Sequence, residues 1–532
     1  MSRVVHIHMR TVMLTLFWSV YTFLYGNITF TPSPYDSTLR KIPLPLIEIC
    51  TTNGQEPTGT HVMAPEGLWG IGLRDNEYVD GHMRLSVGDS TLYTGEMQIR
   101  LRGNTSSYYG DKKPYKIKLS QKSDLLFRGE SQYEDKDWVL LRVYEGFPIR
   151  LLVGQMAGQT VGLGWHPKWE YINLVINGDY KGDYILIESI EREKGRLNIG
   201  ATGYLIEDDA YWWNEEIYFK GNMLVHQTGY TFKYPKAENI NDSLLANIKE
   251  YILAFEDALT HSEDINPYID MESFAAWLLA QDILGQDDSG GTNRYLYKQS
   301  YDPENPFDCP LKMGPLWDFD GAFSVIDHWS AIHNRTYSFY FAKLLERQDF
   351  YTCYVHLWQT LRESLCDNII QQLTAIDTDK GAAIDASRHL DTRRWEENTT
   401  LHSLSTYIAE MGNWLATRFR WIDRQLLTRY QLRFVIDGET YHTDSLIFRE
   451  TITYPAVPDK EGYTFSGWDQ TIDIMPANDV TISASFITNE IGHTTSIDTP
   501  TLIIDLLGRR YPHQQQLKKG IYIIDRKKTI IR

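Results

Sequence analysis

The spacing of apolar residues changes twice along this chain, and each change marks a different kind of structure. Residues 42–102 and 169–199 alternate apolar with polar residues, which predicts β-strands. From Asn247 to Gln281, and again over 339–431, apolar residues recur with a helical period. Short alternating segments return after Tyr430. A strand-rich part followed by a helix-rich part predicts an α+β fold, with a further small β-rich module behind it.

Composition permits a large packed core and excludes general nucleic-acid binding. The 532 residues suggest about three domains, and 42% of them are hydrophobic. The net charge is −18, from 52 basic and 70 acidic residues, whereas a protein that binds nucleic acid needs a basic surface. The four cysteines are spread along the chain without metal-ligand spacing, so we interpret them as free buried thiols.

The first 26 residues have the pattern of an export signal. Arg3 and Arg10 precede an apolar run from Thr11 to Tyr25 that is too short for an ordinary membrane span. Gly26 supplies a small residue near a plausible cleavage point. We therefore predict a signal peptide over 1–26, with an uncleaved anchor as the alternative, and no transmembrane span in the mature chain. The expected location is the periplasm, the cell surface or the medium.

Two acidic groups stand out near the middle of the chain. Asp288 is followed after four residues by Asn293, and Asp318 begins the sequence Asp-Phe-Asp-Gly. A protein kinase has its base Asp and a metal-holding Asn at the first spacing, and presents a second Asp to Mg²⁺ in an Asp-Phe-Gly turn. Each match alone also fits a solvated turn, because Asp and Asn are common turn residues.

The sequences that flank these acidic groups favour the functional interpretation. Tyr295–Tyr297 and Pro315–Trp317 are apolar or aromatic runs that predict strands. A carboxylate at the end of a buried strand is costly unless it binds something. We therefore expect the two acidic groups to take part in a ligand site.

A small, hydroxyl-rich turn in the strand-rich part is a candidate phosphate site. Gly103 to Ser107 lie between two predicted strands and can offer backbone N–H groups to phosphate. In the next strand Lys116 and Lys118 alternate with apolar residues, so one lysine can point into a cleft. For each lysine taken singly, a solvated strand face is the better interpretation. The turn and the acidic groups lie in different parts of the chain, which is the layout of a two-lobed cleft.

These stretches together resemble the CotH family, a family of atypical secreted protein kinases named for a spore-coat protein. The resemblance covers about residues 42–430 and is carried by five motifs in order. The motifs are LRGNTSSYYGDKKPYKIKL, DKDWVLL, NGDYKGDYILIESIEREKGRLNI, GQDDSGGTNRYLYK and MGPLWDFDGAF.

The resemblance implies a two-lobed atypical protein-kinase-like domain that uses ATP and Mg²⁺ to phosphorylate serine or threonine. The acceptor would be a protein, with cell-envelope proteins as candidates. Asp288 matches the catalytic-loop Asp of the family, Asn293 the Asn beside it, and Asp318 the Asp of the metal turn. The implied catalytic residues are Asp288, Asn293 and Asp318, and the implied metal ligands are Asp318, Asn293 and Asp320.

The resemblance also implies a set of nucleotide-binding residues. The lysine that contacts the nucleotide is expected among Lys113, Lys116 and Lys118, with Lys113 and Lys116 favoured. Glu188 ends a strand where a kinase hinge would fall, with a structural salt bridge as its alternative role. The implied nucleotide-binding residues are Arg102, Asn104, Thr105, Ser106, Lys113, Lys116 and Glu188.

Two departures from ordinary kinases accompany the resemblance. The metal turn reads Asp-Phe-Asp-Gly rather than Asp-Phe-Gly. The helix predicted from Pro148 to Thr160 contains no Glu to pair the nucleotide lysine. Either Glu145 replaces that Glu or nothing does.

The remainder of the chain resembles two extracellular elements. Residues 432–487, with YTFSGW and MPANDVTISASF, resemble a Listeria–Bacteroides (internalin B-type) repeat, a small β-grasp-like module. Residues 488–499 are predicted to be a linker. Residues 500–532, with DLLGRR and LKKGIYIID, form a predicted short β tail that resembles the C-terminal sorting segment of type IX secretion cargo in Bacteroidetes.

Two other functions compete with a secreted kinase. A catalytically inactive, kinase-like binding or adhesion protein fits an exported location, where ATP is scarce, and the repeat module. A carbohydrate-active or other metal-assisted hydrolase fits the carboxylate pairs Asp287/Asp288 and Asp318/Asp320. The hydrolase ranks last because it leaves the lysine-rich turn without a role.

Overall fold

The computed structural model of the protein separates into two compact units, Met1–Thr428 and Arg429–Arg532. The predicted signal peptide and residues 490–499 of the predicted linker fall outside the described residues. The structure describes residues 29–143, 149–223, 228–288, 292–333, 335–396, 400–489, 502–511, 517–524 and 527–531.

A closed barrel of seven strands begins the first unit. In order around the ring the strands are β1 (Leu46–Thr51), β4 (Val79–Val87), β5 (Ser90–Leu101), β6 (Tyr115–Ser123), β7 (Asp135–Arg142), β9 (Asp179–Glu188) and β8 (Trp169–Ile176). Neighbours are antiparallel except β1 and β8, whose parallel pairing closes the ring. Apolar side chains such as Ile49, Ile117 and Trp138 fill the interior. Closure removes the exposed strand edges that an open sheet would have.

Short elements precede the barrel or lie in the connections between its strands. They are helix α1 (Asp36–Leu39), the hairpin β2 (Thr60–Met63) and β3 (Ile71–Arg74), helix α2 (Thr105–Tyr108) and helix α3 (Arg150–Thr160). The predicted helix over Pro148–Thr160 is therefore present from Arg150. The predicted hairpin in 169–199 is confirmed, because β8 and β9 pair on either side of Asn177 and Gly178. Both turn residues have positive φ, 52° and 83°, as a two-residue hairpin turn requires.

An antiparallel sheet of five strands follows the barrel. Its order is β11 (Tyr218–Phe219), β12 (Gly229–Tyr234), β10 (Tyr204–Asp209), β13 (Arg294–Lys298) and β14 (Lys312–Met313). The strand predicted at Tyr295–Tyr297 is confirmed within β13. The strand predicted at Pro315–Trp317 is wrong, because β14 ends at Met313. Pro315 has no N–H to donate to a neighbouring strand, so it cannot continue the ladder normally.

Five helices complete the first unit. They are α4 (Asp242–Thr260), α5 (Met271–Leu284), α6 (Arg335–Glu346), α7 (Gln348–Arg394) and α8 (Leu404–Leu426). The helical stretch predicted from Asn247 to Gln281 is two helices, because Asp270 begins a new one. Its side chain accepts a hydrogen bond from the Ser273 N–H at 2.9 Å, which caps α5. Helix α5 is buried from Phe274 to Leu284, as expected of a helix that is apolar on every side.

The second unit contains two small sheets. The first has the order β16 (Glu439–Ile447), β15 (Arg429–Ile436), β18 (Val480–Thr488) and β17 (Tyr463–Trp468), and β15 pairs with β18 in parallel. Leu432, Phe434 and Ile482 are fully buried in its core. The second sheet has the order β20 (Arg510–Tyr511), β19 (Ile503–Asp505), β21 (Gly520–Ile524) and β22 (Lys527–Ile531). The two strand patterns predicted in the tail thus correspond to four short strands.

The predicted combination of helices and sheets is confirmed, whereas the closed barrel is a feature that apolar spacing did not specify. Within the described ranges, no helix is both long and apolar enough to cross a membrane. All four cysteines are free, as predicted, but each is only partly buried, so the expected burial is wrong.

Candidate active site

Helix α5 carries the first predicted acidic group at its C-terminal end. The helix stops at Gly285, whose φ of 55° is left-handed, and the chain then enters the loop with Gln286 and Asp288. Gln286 is buried and Asp288 is exposed. Residues 289–291 lie outside the described ranges, and Asn293 leads directly into β13. Because α5 is buried on every side, it fixes the start of this loop, here called the catalytic loop after the predicted role of Asp288.

The Asp-Phe-Asp-Gly sequence, here called the metal turn, packs against both the catalytic loop and helix α3. Phe319 covers Gly154 of α3 so closely that an added Cβ there would lie 2.1 Å from the Phe319 ring. A Cβ at Gly321 would lie 2.6 Å from the Cβ of Asp288. The two glycines therefore allow the close approach of turn, helix and loop.

The turn and the loop bring three predicted residues together. The Asn293 amide donates to the Asp318 carboxylate at 3.3 Å, and the Asp320 N–H approaches the same carboxylate at 3.5 Å. Asp318 and Asn293 both have left-handed backbone conformations, with φ of 59° and 58°. Such conformations cost free energy in residues other than glycine and recur at functional sites.

The carboxylates of the site repel one another. Loss of water around its carboxylate, followed by the charge of Asp318, raises the pKa of Asp288 to about 6. The same two causes raise the pKa of Asp320 to about 6, although nearby arginines oppose the shift. Loss of water also raises the pKa of Asp318. The basic side chains of the site thus balance this negative charge only in part.

This donor set fits Mg²⁺. Carboxylate and amide oxygens are its preferred protein ligands, and the raised pKa values indicate negative charge that a cation would stabilise. Asp318, Asn293 and Asp320 would hold the ion. For Asn293 this requires the amide to present its oxygen, because its nitrogen now faces Asp318.

A narrow, largely apolar cavity adjoins a wider cleft at this point. The cavity has a volume of about 320 Å³ and the cleft about 1190 Å³. The cleft also includes Asp288 and Asn293 in its wall. Apolar side chains that line the cavity are those of Pro114, Leu141, Val143, Leu151, Ile185, Trp317 and Phe319. Residues that line both spaces are Arg102, Ser106, Trp317, Asp318 and Asp320.

The predicted phosphate turn forms one wall of the wider cleft. Arg102, Asn104, Thr105 and Ser106 all line it, and Arg102 and Ser106 also reach the narrow cavity. The Arg102 guanidinium lies 5.5 Å from the centre of the Trp317 ring, and burial lowers its pKa while Asp318 raises it. Thr105 is hydrogen-bonded through its hydroxyl to Tyr211. The turn is thus held across the cleft from the acidic residues.

The two lysines favoured as nucleotide contacts, Lys113 and Lys116, bind other protein groups. Lys113 donates to the Ser107 carbonyl at 2.8 Å and is not among the described residues that line either space. Lys116 lines the wider cleft but forms an ion pair of 2.8 Å with Asp137 on β7. Helix α3 supplies no Glu, as noted from the sequence, and Glu145 lies outside the described residues. Asp137, on the neighbouring strand, is therefore the carboxylate that pairs with Lys116.

Glu188 has the surroundings of a structural residue. It is fully buried, pairs with Arg128 at 2.8 Å and accepts from the Lys168 N–H at 2.9 Å. It is absent from the described lining of both spaces. These contacts match the salt-bridge alternative, because Arg128 contacts one oxygen of the carboxylate and the Lys168 N–H donates to the other.

Comparison with known proteins identifies the family. A family model described as CotH kinase protein matches residues 99–422. The chain belongs to the CotH kinase family. The matched region includes the phosphate turn, the catalytic loop and the metal turn, so all the residues of the candidate site fall within the CotH region.

Two further proteins are similar to parts of this chain. Internalin H of Listeria monocytogenes is 34% identical over 87 residues, which cover 14% of this chain and 16% of that protein. This supports a repeat-like region in the chain. In a complex of HipA, HipB and operator DNA from a toxin–antitoxin system of Shewanella oneidensis MR-1, one chain is 12% identical. That similarity covers 55% of this chain and 59% of the other, with a TM-score of 0.21, which is too low to establish a common fold.

Sequence reasoning missed three residues of the candidate site. Arg142 and Arg150 line the narrow cavity, and Arg150 donates to the Asp320 carbonyl at 2.7 Å. Gln286 donates to the Asp318 carbonyl at 2.6 Å. Gln286 lies within the GQDDSGG motif and Arg142 directly follows DKDWVLL. Their positions beside these motifs were the available signal, but their contacts depend on how distant segments pack.

Proposed function

We propose that this CotH protein is an atypical kinase that transfers the γ-phosphate of ATP to serine or threonine of a protein. The observation that carries the proposal is the meeting of Asp318, Asp320 and Arg102 where an apolar cavity joins an open cleft. An aromatic base fits apolar walls, while phosphates need cations and an acceptor needs an open approach. The proposed arrangement is two-lobed, with the barrel as the nucleotide lobe.

Each residue of the site would have a separate role in phosphoryl transfer. Leu141 and Ile185 would contact the base, and Arg102 would orient the phosphates and offset their charge. Bound Mg²⁺ would supply electrostatic stabilisation of the phosphoryl oxygens. The acceptor hydroxyl would give its proton to Asp288 while its oxygen bonds to the γ-phosphorus. The bond from phosphorus to the β–γ bridging oxygen breaks, and ADP leaves. A pKa of about 6 suits Asp288 as a base near neutral pH.

Transfer of labelled γ-phosphate by the purified full chain, onto itself or a Ser-rich protein, tests this proposal. We expect Asp318→Asn to reduce the rate by about 10²-fold or more, because the variant lacks a metal-holding carboxylate. Asp302→Asn, at an exposed loop position, is the matched control and should keep the wild-type rate. Unchanged transfer by Asp318→Asn would show that the assigned site is wrong.

The same experiment separates the kinase from an inactive binding protein. A kinase must bind Mg-ATP, and a ligand of the folded state raises its melting temperature. If the wild type neither transfers phosphate nor is stabilised by Mg-ATP, the kinase-like binding or adhesion protein is favoured.

We further propose that the chain is exported and acts on a cell-envelope protein. Support comes from the leader-like residues 1–26, the Internalin H similarity and the sorting-like residues 500–532. The repeat module would then face the cell exterior, and the tail would direct type IX secretion. Fractionation of the native host tests this, since recovery of the intact, uncleaved chain in the cytoplasm alone would contradict it.

A further inference from the structure

We infer that Gln286 is a positioning residue that couples the catalytic loop to the metal turn. The inference rests on the proposed kinase function. It concerns the way in which Asp288 and Asp318, from segments thirty residues apart in sequence, are kept in one geometry. Neither the family match nor the motif spacing assigns a role to this glutamine.

The Gln286 side chain bridges the two segments with both ends of its amide. Its nitrogen donates to the Asp318 carbonyl at 2.6 Å, and its oxygen accepts from the Asp288 N–H at 3.3 Å. The side chain is 1% exposed, so water does not compete for these bonds. Gly321 keeps the space open, because a Cβ there would lie 2.7 Å from the Gln286 oxygen.

A neutral amide of this length meets both requirements. Leucine offers no polar atom, which would leave the Asp318 carbonyl and the Asp288 N–H without this partner. Ionised glutamate can accept from Asp288 but has no proton to donate to the carbonyl. An unmet buried backbone group is costly, so the turn would shift to find another partner. Asp318 holds a left-handed backbone, which persists only where its surroundings enforce it.

The coupling should affect chemistry more than nucleotide binding. Most of the apolar wall of the narrow cavity comes from the barrel and α3, with Trp317 and Phe319 beside the metal turn completing it, and Gln286 is not among its described lining residues. A displaced metal turn would misplace the Asp318 carboxylate relative to the phosphates and to Asp288. Since misplacement by about 1 Å can cost roughly 10²-fold in rate, kcat should fall while the KM for ATP changes little.

The experiment compares two buried glutamines in the full chain. Gln286→Leu and Gln286→Glu are the test variants, and Gln155→Leu is the matched control. Gln155 in helix α3 is 2% exposed, and its amide makes no hydrogen bond to any described residue. The measurements are kcat and KM for ATP, together with Mn²⁺ affinity by electron paramagnetic resonance.

We expect both Gln286 variants to lower kcat by about tenfold or more, with the KM for ATP within about twofold. Mn²⁺ affinity should fall in the same two variants. Gln155→Leu should change none of these quantities beyond about twofold. Wild-type kcat in Gln286→Leu, or equal loss in kcat and ATP affinity, would overturn the coupling role.

The metal measurement separates this inference from the proposed function. If the wild type binds Mn²⁺ but transfers no phosphate, the proposed function fails while Mn²⁺ affinity still tests the coupling. Unchanged Mn²⁺ affinity in both Gln286 variants would then refute the role of Gln286 as well.

Discussion

Two carboxylates, one in helix α5 and one in the metal turn, have pKa values that shift in opposite directions. The difference in their burial does not explain this. Asp282, in the last turn of α5, is fully buried, yet its pKa is lowered. Asp318, in the metal turn, is only half-buried, yet its pKa is raised. Asp282 accepts hydrogen bonds from Ser330 at 2.9 Å, His333 at 2.7 Å and Tyr354 at 2.8 Å. Among the described residues, the Asp318 carboxylate accepts only the longer contacts from Asn293 and Asp320.

The difference separates a structural carboxylate from one that is prepared for a ligand. Hydrogen bonds to the charged form favour ionisation, and these contacts offset the cost of removing Asp282 from water. Around Asp318 the donors are fewer and the neighbouring carboxylates add repulsion. A bound cation would supply the stabilisation that Asp282 obtains from its neighbours. Contacts, rather than burial, therefore distinguish the two roles.

The largest effect that we expect is the loss of stability in Asp282→Ala. This change leaves the buried donors of Ser330, His333 and Tyr354 without their shared acceptor. We expect a loss of about 3 kcal/mol or more in the free energy of unfolding. Urea unfolding followed by circular dichroism at 222 nm measures it, because all helices in the described ranges belong to the first unit.

Asp318→Asn is the matched variant for this measurement. It removes a carboxylate whose pKa is raised in the fold, so the unliganded protein should lose little stability or gain some. Similar losses in Asp282→Ala and Asp318→Asn would show that the contacts of the two carboxylates do not separate their roles.

A smaller effect should appear in the pH dependence of metal binding. Asp288 and Asp320 have pKa values of about 6, above the ordinary value for Asp. The contribution of these two groups to the stability of the unliganded fold is therefore present at low pH and is lost as pH rises through about 6. Metal binding needs the ionised form of a ligand, and Asp320 is the one of these two residues that would hold the ion. The affinity for Mn²⁺ should therefore rise about tenfold from pH 5 to pH 7.

Calorimetric titration with Mn²⁺ alone measures this, because no nucleotide phosphate then contributes protons. Asp320→Asn should show a shallower pH dependence, since one titrating ligand is removed. If the affinity in the wild type does not change between pH 5 and pH 7, Asp320 is not a metal ligand.

The sequence predicted the parts of the site that depend on local spacing. Asp288, Asn293 and Asp318 were selected from short motifs, and the structure brings them together. The contacts that decide their roles lie between distant segments. Gln286 reaches Asp318 from 32 positions away, and Glu188 pairs with Arg128 from 60 positions away. No local pattern contains the identity of such partners.

The barrel shows the same limit at the level of the fold. Alternation of apolar and polar residues predicts which residues share a face, but not which strands become neighbours. The ring closes through parallel pairing of Leu46 with Asn173, and strands that are far apart in sequence meet there. Helices were better predicted, because their periodicity is complete within one segment. Their ends depended on caps such as Asp270.

The smallest effect that we expect concerns Lys113, which extends the comparison from carboxylates to basic residues. Its ammonium donates to the carbonyls of Ser107 and Tyr108 at 2.8 and 3.4 Å, so it is already partnered. Arg102 instead lines both the cavity and the cleft and lies close enough to Asp318 for their charges to interact. Lys113→Met should therefore change the KM for ATP by less than about twofold. Arg102→Met should raise it by about tenfold, as loss of a charged contact to phosphate would do. A tenfold rise of the KM for ATP in Lys113→Met would mean that the ammonium leaves its carbonyl partners when nucleotide binds. Hydrogen-bonded partners would then not distinguish structural from nucleotide-binding basic residues in this cleft.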